Sequence, residues 1–204
     1  MIEYTEKEME YVSSKDPVMK DLVERYGHIT AGTNTDFFQS LIFHMIGQML
    51  SNKVAEVLAD RFEKLAGEIT PENVSKLTVE QIRSCGISSQ KAKYILGMTE
   101  NVIDGELDLS GLNEMSDEEV ITYLISIKGI GRWTAEMITE FTLGRRNVFS
   151  YGDAALRNGI MKAHGFKTLS KRRFHGLIKK YSPYCSVASL YYYALNDDND
   201  PNLK

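Results

Sequence analysis

The sequence predicts an all-α protein, and three features of its 204 residues indicate this class. Apolar residues recur at helical spacing along most of the chain, and capping residues stand in front of these segments. No segment alternates between apolar and polar residues for long enough to predict a β-strand. Because 43% of the residues are hydrophobic, the chain can bury a sizeable core. We therefore expect one compact unit or two closely joined helical lobes.

Local start and stop signals divide the chain into helices. Most segments begin at a Ser, Thr or Asp that can accept hydrogen bonds from the first free amides, and Ser116 with Glu119 forms a capping box. The predicted helices cover about 17–26, 37–49 (opened by Thr35-Asp36), 52–66, 89–103, 120–127, 133–143, 154–163, 170–181 and 186–195, with short helices after Thr70 and Thr78. A polar tail follows at 197–204.

Composition narrows the function classes. The N-terminus lacks the basic and apolar regions of a signal peptide, and no stretch of 18 apolar residues occurs, so we expect a cytoplasmic protein without a membrane partner. The two cysteines, Cys85 and Cys185, lack the close spacing of zinc or iron–sulfur ligands, which predicts free thiols. The net charge is -4, with acids concentrated at 3–10, 104–119 and 197–200 and bases beyond residue 144.

The stretch Ile127-Lys128-Gly129-Ile130-Gly131-Arg132 separates two segments with helical periodicity and predicts a helical hairpin. Gly129 and Gly131 can turn the chain tightly and leave the following amides exposed. Such amides at a helix N-terminus bind anions, phosphate among them. An isolated turn of this kind also joins helices in many proteins that bind no ligand.

A longer pattern adds to this motif. The run LISIKGIGRWTAEMITEFTLGRRNVFSYGDAALR resembles the helix-hairpin-helix DNA glycosylases with a Gly/Pro-rich loop and a catalytic aspartate, specifically the DNA-3-methyladenine glycosylase II branch. The resemblance extends from about Phe37 to about Tyr193. It implies a central lobe at 52–153, with the hairpin at about 117–143, and a second lobe formed by 1–51 and 154–204. The family's active site lies in the cleft between such lobes, and we expect a short form without the extra N-terminal β domain of longer bacterial relatives.

The resemblance assigns Asp153 as the catalytic residue. When an N-glycosidic bond breaks, the sugar develops positive charge, which a carboxylate can stabilise while it orients water. From the residues alone, the favoured role of Asp153 is to cap the helix 154–163, and the two roles are compatible. One departure is Ser150, which stands where the family loop usually has Pro.

Trp133 distinguishes between two reactions in the resembling family. Members that also cut the DNA backbone have a lysine immediately before Thr134-Ala135, and its amine forms an imine with the sugar. Trp133 cannot do this, so we expect a monofunctional enzyme that leaves an abasic site. Alkylated purines are electron-poor and stack on electron-rich rings. Trp133 is therefore the principal candidate for the base-binding pocket, with Tyr151 and Phe43 as further candidates.

The family also predicts contacts with DNA. Gln48 and Met49 match a corner between helices where one residue fills the gap left by the extruded base; the alternative is that Met49 belongs to the core. The hairpin residues Gly129, Gly131, Arg132 and Thr134 are further candidates for DNA contact. Near the C-terminus, residues 181–188 resemble the family's W-x-P-x-R-S-x-A motif, with Tyr181 in place of its tryptophan and Cys185 in place of its arginine. The loss of the arginine puts in doubt any phosphate or packing contact made there.

Together these expectations describe a DNA glycosylase of base excision repair that flips out and hydrolyses alkylated purines such as 3-methyladenine and 7-methylguanine. Its expected partner is double-stranded DNA with damaged bases, with no obligate protein partner. No cofactor or metal is expected, apart from a monovalent cation that the family often holds on hairpin carbonyls. Two alternatives stay open: a glycosylase for deaminated or mismatched bases, and a non-catalytic helix-hairpin-helix DNA-binding module.

Overall fold

The computed structural model describes residues 2–30 and 36–198. Its α-helices are α1 (Glu6–Ser13), α2 (Pro17–Tyr26), α3 (Phe37–Gly47), α4 (Asn52–Ala66), α5 (Pro71–Val74), α6 (Val79–Ser84), α7 (Ser89–Ile103), α8 (Asp117–Ser126), α9 (Arg132–Met137), α10 (Ala154–His164), α11 (Lys171–Tyr181) and α12 (Cys185–Asp197). A 3-10 helix, Ser110–Glu114, precedes α8, and a π-helical turn, Ile138–Thr142, follows α9. These ranges contain no β-strand, which confirms the all-α class, and none of their helices is long and apolar enough to cross a membrane.

Most helices lie where their capping signals predicted them. The bounds of α4 and α7 coincide with the prediction, and Asp16, Thr78 and Ser170 are N-caps whose side chains accept backbone hydrogen bonds. Helix α3 ends at Gly47, two residues earlier than expected. The part of the predicted tail at 199–204, and Thr35, lie outside the described residues.

Helix α1 is an element that the sequence analysis did not predict. Thr5 and Glu8 form a capping box at its start: the Thr5 amide donates to Glu8 Oε2 over 2.6 Å, and the Glu8 amide donates to Thr5 Oγ1 over 3.4 Å. This is the same local signal that marks the start of α8. Glu8 also pairs with Arg146, whose Nη1 lies 2.6 Å from Glu8 Oε1.

The chain divides into a central unit, residues 34–138, and a terminal unit, residues 1–33 with 139–204. These bounds differ from the expected lobes of 52–153 and of 1–51 with 154–204. Helix α3 falls in the central unit because it packs against α4 and α7. The segment after residue 138 falls in the terminal unit because its backbone and side chains bond to α12; for example, the Ser186 amide donates to the Arg146 carbonyl over 2.9 Å.

The core of the central unit is built around α3. Leu41, Ile42, Met45 and Ile46 of this helix are fully or almost fully buried. Since α3 is apolar on nearly all sides, it occupies the middle of the unit rather than its surface. His44 of the same helix is half-buried, and burial lowers the pKa of its imidazole to about 4.

Helix α12 forms the centre of the terminal unit, where α1, α2, α10 and α11 pack around it. Tyr191 and Tyr192 are fully buried. At Gly159 of α10 the two backbones come so close that a Cβ atom would lie 2.0 Å from the Tyr192 carbonyl oxygen. Only glycine allows this approach of α10 to α12, and α10 is the helix that Asp153 caps.

A chain of hydrogen bonds joins the buried polar groups of the terminal unit. The hydroxyls of Tyr181 and Tyr192 lie 2.8 Å apart, and His164 Nε2 lies 3.0 Å from the Tyr192 hydroxyl. Tyr181 donates to Asp16 Oδ2 over 2.7 Å, and Lys180 donates to the same oxygen over 2.8 Å. Burial alone would raise the pKa of Asp16, but these donors and the Met19 amide outweigh burial and lower it. The network ties α2, α10, α11 and α12 together.

The depressed pKa of His44 predicts a pH dependence of stability. Between pH 6.5 and about pH 4 the unfolded chain binds a proton at this residue and the folded chain does not. The free energy of unfolding should therefore be highest above pH 6.5 and fall as the pH decreases through this window. In His44→Gln the fall should be smaller by about 1–3 kcal/mol. Urea denaturation of both proteins at pH 7.5, 6.0 and 4.5 measures this, and equal falls would contradict the assignment.

Candidate active site

The predicted hairpin lies in the central unit and is formed by α8 and α9. The capping box predicted at the start of α8 is present: the Ser116 amide donates to Glu119 Oε2 over 2.8 Å. Val120 and Leu124 are buried and anchor α8 to the core of the unit. Five residues separate the end of α8 from the start of α9, and they contain both glycines of the motif.

The two hairpin glycines have different roles. Gly129 has φ +98°, and a Cβ atom there would lie 2.5 Å from Cδ2 and 3.0 Å from Cβ of Tyr94. Both the backbone conformation and the close approach of the ring require glycine. Gly131 instead has an extended conformation, φ -91° and ψ 170°, as the N-cap of α9, and a Cβ atom would meet nothing within 4 Å. The tight turn therefore depends on Gly129, and Gly131 leaves the start of α9 without a side chain.

The corner between α3 and α4, residues 47–51, is tied to this hairpin. Gln48 Nε2 donates to the Gly129 carbonyl over 2.9 Å and to Thr134 Oγ1 over 3.1 Å. Thr134 is buried, with 3% of its surface exposed. The structure therefore gives these two side chains a bonding role inside the protein that the sequence did not indicate. A direct contact of either with DNA stays a prediction.

Met49 stands at the tip of the corner. Its side chain is 98% exposed, and its φ is +59°, the one positive value at a non-glycine residue in the described ranges. A bulky residue in this conformation is strained by about 1–2 kcal/mol. The alternative that Met49 belongs to the core is wrong, because α3 ends before it and the chain turns outward. The corner thus presents a large apolar side chain to solvent.

Two candidate base-binding residues also lie in the central unit. Trp133 is the second residue of α9 and is 37% exposed, which leaves part of its indole accessible. Phe43 is half-buried in α3. An indole held at a helix start and partly open to solvent can stack on a planar ligand.

Arg132, a predicted DNA contact, makes ion pairs at the start of α9. Its Nη2 lies 3.2 Å from Glu118 Oε2, and its Nε lies 2.9 Å from Glu136 Oε1. Burial tends to lower the pKa of the guanidinium, but the two carboxylates outweigh it and raise the pKa. Two acids thus compensate the positive charge of Arg132, so this residue adds little net attraction for a phosphate.

Asp153 lies in the terminal unit, at the end of the loop that follows residue 147. Val148, Phe149 and Ser150 of this loop are buried, and Asp153 itself is 6% exposed. Its Oδ1 accepts a hydrogen bond from the Leu156 amide over 2.7 Å, so it is the N-cap of α10. The capping role expected from the sequence is confirmed. Asp153 is also the only acidic residue between Glu140 and Asp197, a stretch with ten Lys and Arg residues.

The loop before Asp153 is held by α12. The Val148 amide donates to Ser186 Oγ over 3.0 Å, and Ser186 Oγ donates to the Arg145 carbonyl over 2.7 Å. Phe149 stacks on Phe174 of α11 at a ring distance of 4.9 Å. Ser186 occupies the serine position of the W-x-P-x-R-S-x-A motif, and its role here depends on a partner 38 residues away. The loop thus has little freedom to move Asp153.

The remaining sequence candidates of the terminal unit have packing roles. Tyr151 donates its hydroxyl to the Leu169 carbonyl over 3.1 Å and places its ring edge on Phe174. A substrate contact of Tyr151 stays a prediction. Cys185, which replaces the family's arginine, is fully buried, and burial raises the pKa of its thiol to about 11. The position is therefore occupied by a neutral group inside the core.

The described residues contain no group of three or more His, Cys, Asp or Glu side chains that could hold a metal ion. Two hairpin carbonyls accept protein hydrogen bonds: that of Ile127 from the Ile130 amide, and that of Gly129 from Gln48. The cation stays a prediction, and no step below depends on it.

A family model described as HhH-GPD superfamily base excision DNA repair protein matches residues 42–183, more than two thirds of the chain. The chain belongs to this superfamily. The matched range includes the α3–α4 corner, the hairpin and Asp153, which are the features described above. It extends across both compact units.

Individual relatives of this HhH-GPD protein agree with the match. The Bacillus subtilis protein YfjP is 33% identical over 156 residues, which cover 72% of this chain and 54% of YfjP, so the chain spans about half of that relative. The crystal structure of a DNA-3-methyladenine glycosidase from Bacillus halodurans has a TM-score of 0.80 at 33% identity and covers 93% of this chain and 89% of that one. Schizosaccharomyces pombe 3-methyladenine DNA glycosylase (Mag1), in complex with abasic DNA, has a TM-score of 0.84 at 28% identity, with coverages of 92% and 95%.

The different surroundings of the hairpin glycines predict different effects of alanine. Gly129→Ala should destabilise the protein by about 1–3 kcal/mol. The new Cβ atom would collide with the Tyr94 side chain, and alanine would have to adopt a positive φ. Gly131→Ala is the matched control and should cost less, about 0.5–1 kcal/mol: alanine is a poorer N-cap than glycine, but the φ of residue 131 is ordinary and the space is open. Thermal denaturation of both variants measures this. Similar melting temperatures for the two would show that the hairpin geometry differs from that described.

Proposed function

We propose that this protein is a monofunctional DNA glycosylase that removes alkylated purines, such as 3-methyladenine and 7-methylguanine, from double-stranded DNA. The observation that carries the proposal is Asp153, a buried carboxylate fixed at the start of α10 in a chain of the HhH-GPD superfamily. The similarity of the chain to the Bacillus halodurans and Schizosaccharomyces pombe enzymes, both named for 3-methyladenine, supports the substrate class.

The proposed reaction is hydrolysis of the bond between C1′ of the deoxyribose and the purine nitrogen. As this bond breaks, its electron pair leaves with the base and C1′ becomes cationic. The Asp153 carboxylate stabilises the cation and accepts the proton of the water molecule whose oxygen forms the new bond to C1′. The products are the free base and an abasic site. The bond from the Leu156 amide orients the carboxylate for this task.

Trp133 is proposed to recognise the base. Methylation at N3 or N7 makes a purine cationic or electron-poor, and such a ring is attracted to the face of an indole. Because methylation also weakens the glycosidic bond, the site needs little acid catalysis to expel the base. Phe43 is a further candidate for this recognition.

DNA binding is proposed to depend on backbone groups of the hairpin more than on its cations. Gly131 leaves the start of α9 without a side chain, which lets a phosphate approach the amides there. Glu118 and Glu136 compensate the charge of Arg132. Contacts of this kind position a duplex without reading its sequence, as suits an enzyme that searches for damage.

A repair enzyme acts where the DNA lies, and we extend the proposal to a cytoplasmic location.

The first alternative is a non-catalytic DNA-binding module, in which Asp153 serves only as the N-cap of α10. Asp153→Asn separates the two functions, because asparagine is as good an N-cap as aspartate but cannot carry the negative charge. We expect this variant to bind duplex DNA normally and to release methylated purines at least about 100-fold more slowly than wild type. Chromatography of bases released from methylated duplex DNA measures the rate.

Asp36→Asn is the matched control, because Asp36 is also an N-cap, accepting from the Gln39 amide over 2.9 Å at the start of α3. It should release bases at the wild-type rate. Equal release by wild type and Asp153→Asn would remove Asp153 from catalysis. If neither releases a methylated purine, duplexes with hypoxanthine or with thymine opposite guanine test the second alternative, a glycosylase for deaminated or mismatched bases.

The tryptophan at position 133 predicts the absence of lyase activity. An imine with the abasic sugar needs an amine at this position of α9, and indole supplies none. Incubation with abasic duplex and sodium borohydride should therefore give no covalent protein–DNA adduct, and the abasic strand should stay intact. Denaturing electrophoresis detects both products, with a glycosylase-lyase as positive control. A trapped adduct would refute the monofunctional mechanism.

A further inference from the structure

At the corner that carries Met49, α3 ends in a tight turn in which the Leu50 amide donates to the Gly47 carbonyl over 3.1 Å. Gln48 leaves the helix with φ -51° and ψ 132°, and Met49 then takes the strained left-handed conformation. The last carbonyls of any α-helix have no partner within the helix and need one elsewhere. The geometry of this corner therefore depends on whichever group binds these carbonyls.

Lys91 of α7 supplies that group. Its Nζ donates to the Ile46 carbonyl and to the Gln48 carbonyl, each over 2.8 Å. The ammonium thus connects the end of α3 to the residue immediately before Met49. A cation at a helix C-terminus is also favoured by the helix dipole of α3.

The position of Lys91 within its own helix is unfavourable. It lies in the first turn of α7, where the dipole disfavours a cation, and its amide bonds to the N-cap Ser88 over 3.3 Å. Burial lowers the pKa of its ammonium as well. Since local energetics oppose a lysine at this position, its contribution lies in the contact with the α3–α4 corner.

The same corner is fixed on its other side. Gln48 donates to Gly129 and Thr134 of the hairpin, so α7, the corner and the hairpin form one hydrogen-bonded assembly within the central unit. We propose that Lys91 is a positioning residue, which holds Met49 in place to enter the gap that an extruded base leaves in duplex DNA. The proposal rests on the glycosylase function proposed above.

The role of Lys91 can be separated from general stability by the pairing state of the lesion. A paired 7-methylguanine needs a wedge to stay extruded, whereas one opposite an abasic-site analogue has no partner to regain. Lys91→Met should lower release from the paired duplex by about 10- to 100-fold, since a misplaced group has effects of this size. Release from the unpaired context should change by less than about threefold. Lys93→Met, at an exposed lysine of the same helix, is the matched control and should behave as wild type.

Met49→Ala should reproduce the pattern of Lys91→Met, and the double variant should be no worse than either, because both changes remove one function. If Lys91→Met does not fold by circular dichroism, Lys91→Gln, which keeps one donor, replaces it and should give an intermediate loss. Equal losses in the two contexts would assign Lys91 to stability alone. A paired-duplex rate equal to that of Lys93→Met would also overturn the proposal.

A second readout does not depend on base release. In a duplex with an abasic analogue next to 2-aminopurine, insertion of a side chain unstacks the fluorescent base and raises its emission. Wild type and Lys93→Met should raise the emission, and Lys91→Met and Met49→Ala should raise it less at equal occupancy. If wild type releases no base but this pattern holds, the proposed reaction fails and the positioning role stands; if all four proteins raise the emission equally, the positioning role fails.

Discussion

The unpaired backbone groups at helix ends are the constraint on which the rest of this structure depends. A protein made of short helices has many such ends, and each one needs hydrogen-bond partners. Two groups with a proposed role in function answer this need: Asp153 caps α10, and Lys91 binds carbonyls at the end of α3. Gly131, in contrast, leaves the start of α9 without a side-chain cap. The requirement that stabilises the fold therefore also places groups proposed to act in base excision.

This relation explains why so much of the fold could be predicted from the sequence. Caps at Asp16, Thr78 and Ser116 are local signals, readable within four residues, and the helices that they start lie where predicted. Helix α1 is not among the predicted helices, although Thr5 and Glu8 give the same local signal within an acidic segment.

The long-range contacts of the site could not be predicted in this way. Gln48 bonds to Gly129 and Thr134, which lie 81 and 86 positions further along the chain. Nothing in the residues near Gln48 distinguishes such partners from solvent. The same holds for Ser186, which organises the loop before Asp153 from a different helix. Family resemblance indicated which positions matter, and the structure adds what each one bonds to. For Lys91, a cation in the first turn of a helix was a local contradiction that could have pointed to a tertiary role.

Positive and negative side chains are distributed unequally along the chain, and this bears on its proposed binding to DNA. Residues 34–138, which include the hairpin, contain 9 Lys and Arg against 16 Asp and Glu, so simple attraction does not favour phosphate there. Between residues 141 and 196 there are ten Lys and Arg and one acid, Asp153. Long-range attraction of the DNA phosphates would then come from residues 141–196. Residues 34–138 would contribute contacts that act only at close range, through backbone amides and the exposed side chain of Met49. Weak electrostatics at the hairpin suit the proposed glycosylase, whose specificity would depend on extruding one base, because strong phosphate binding alone would hold undamaged and damaged DNA equally.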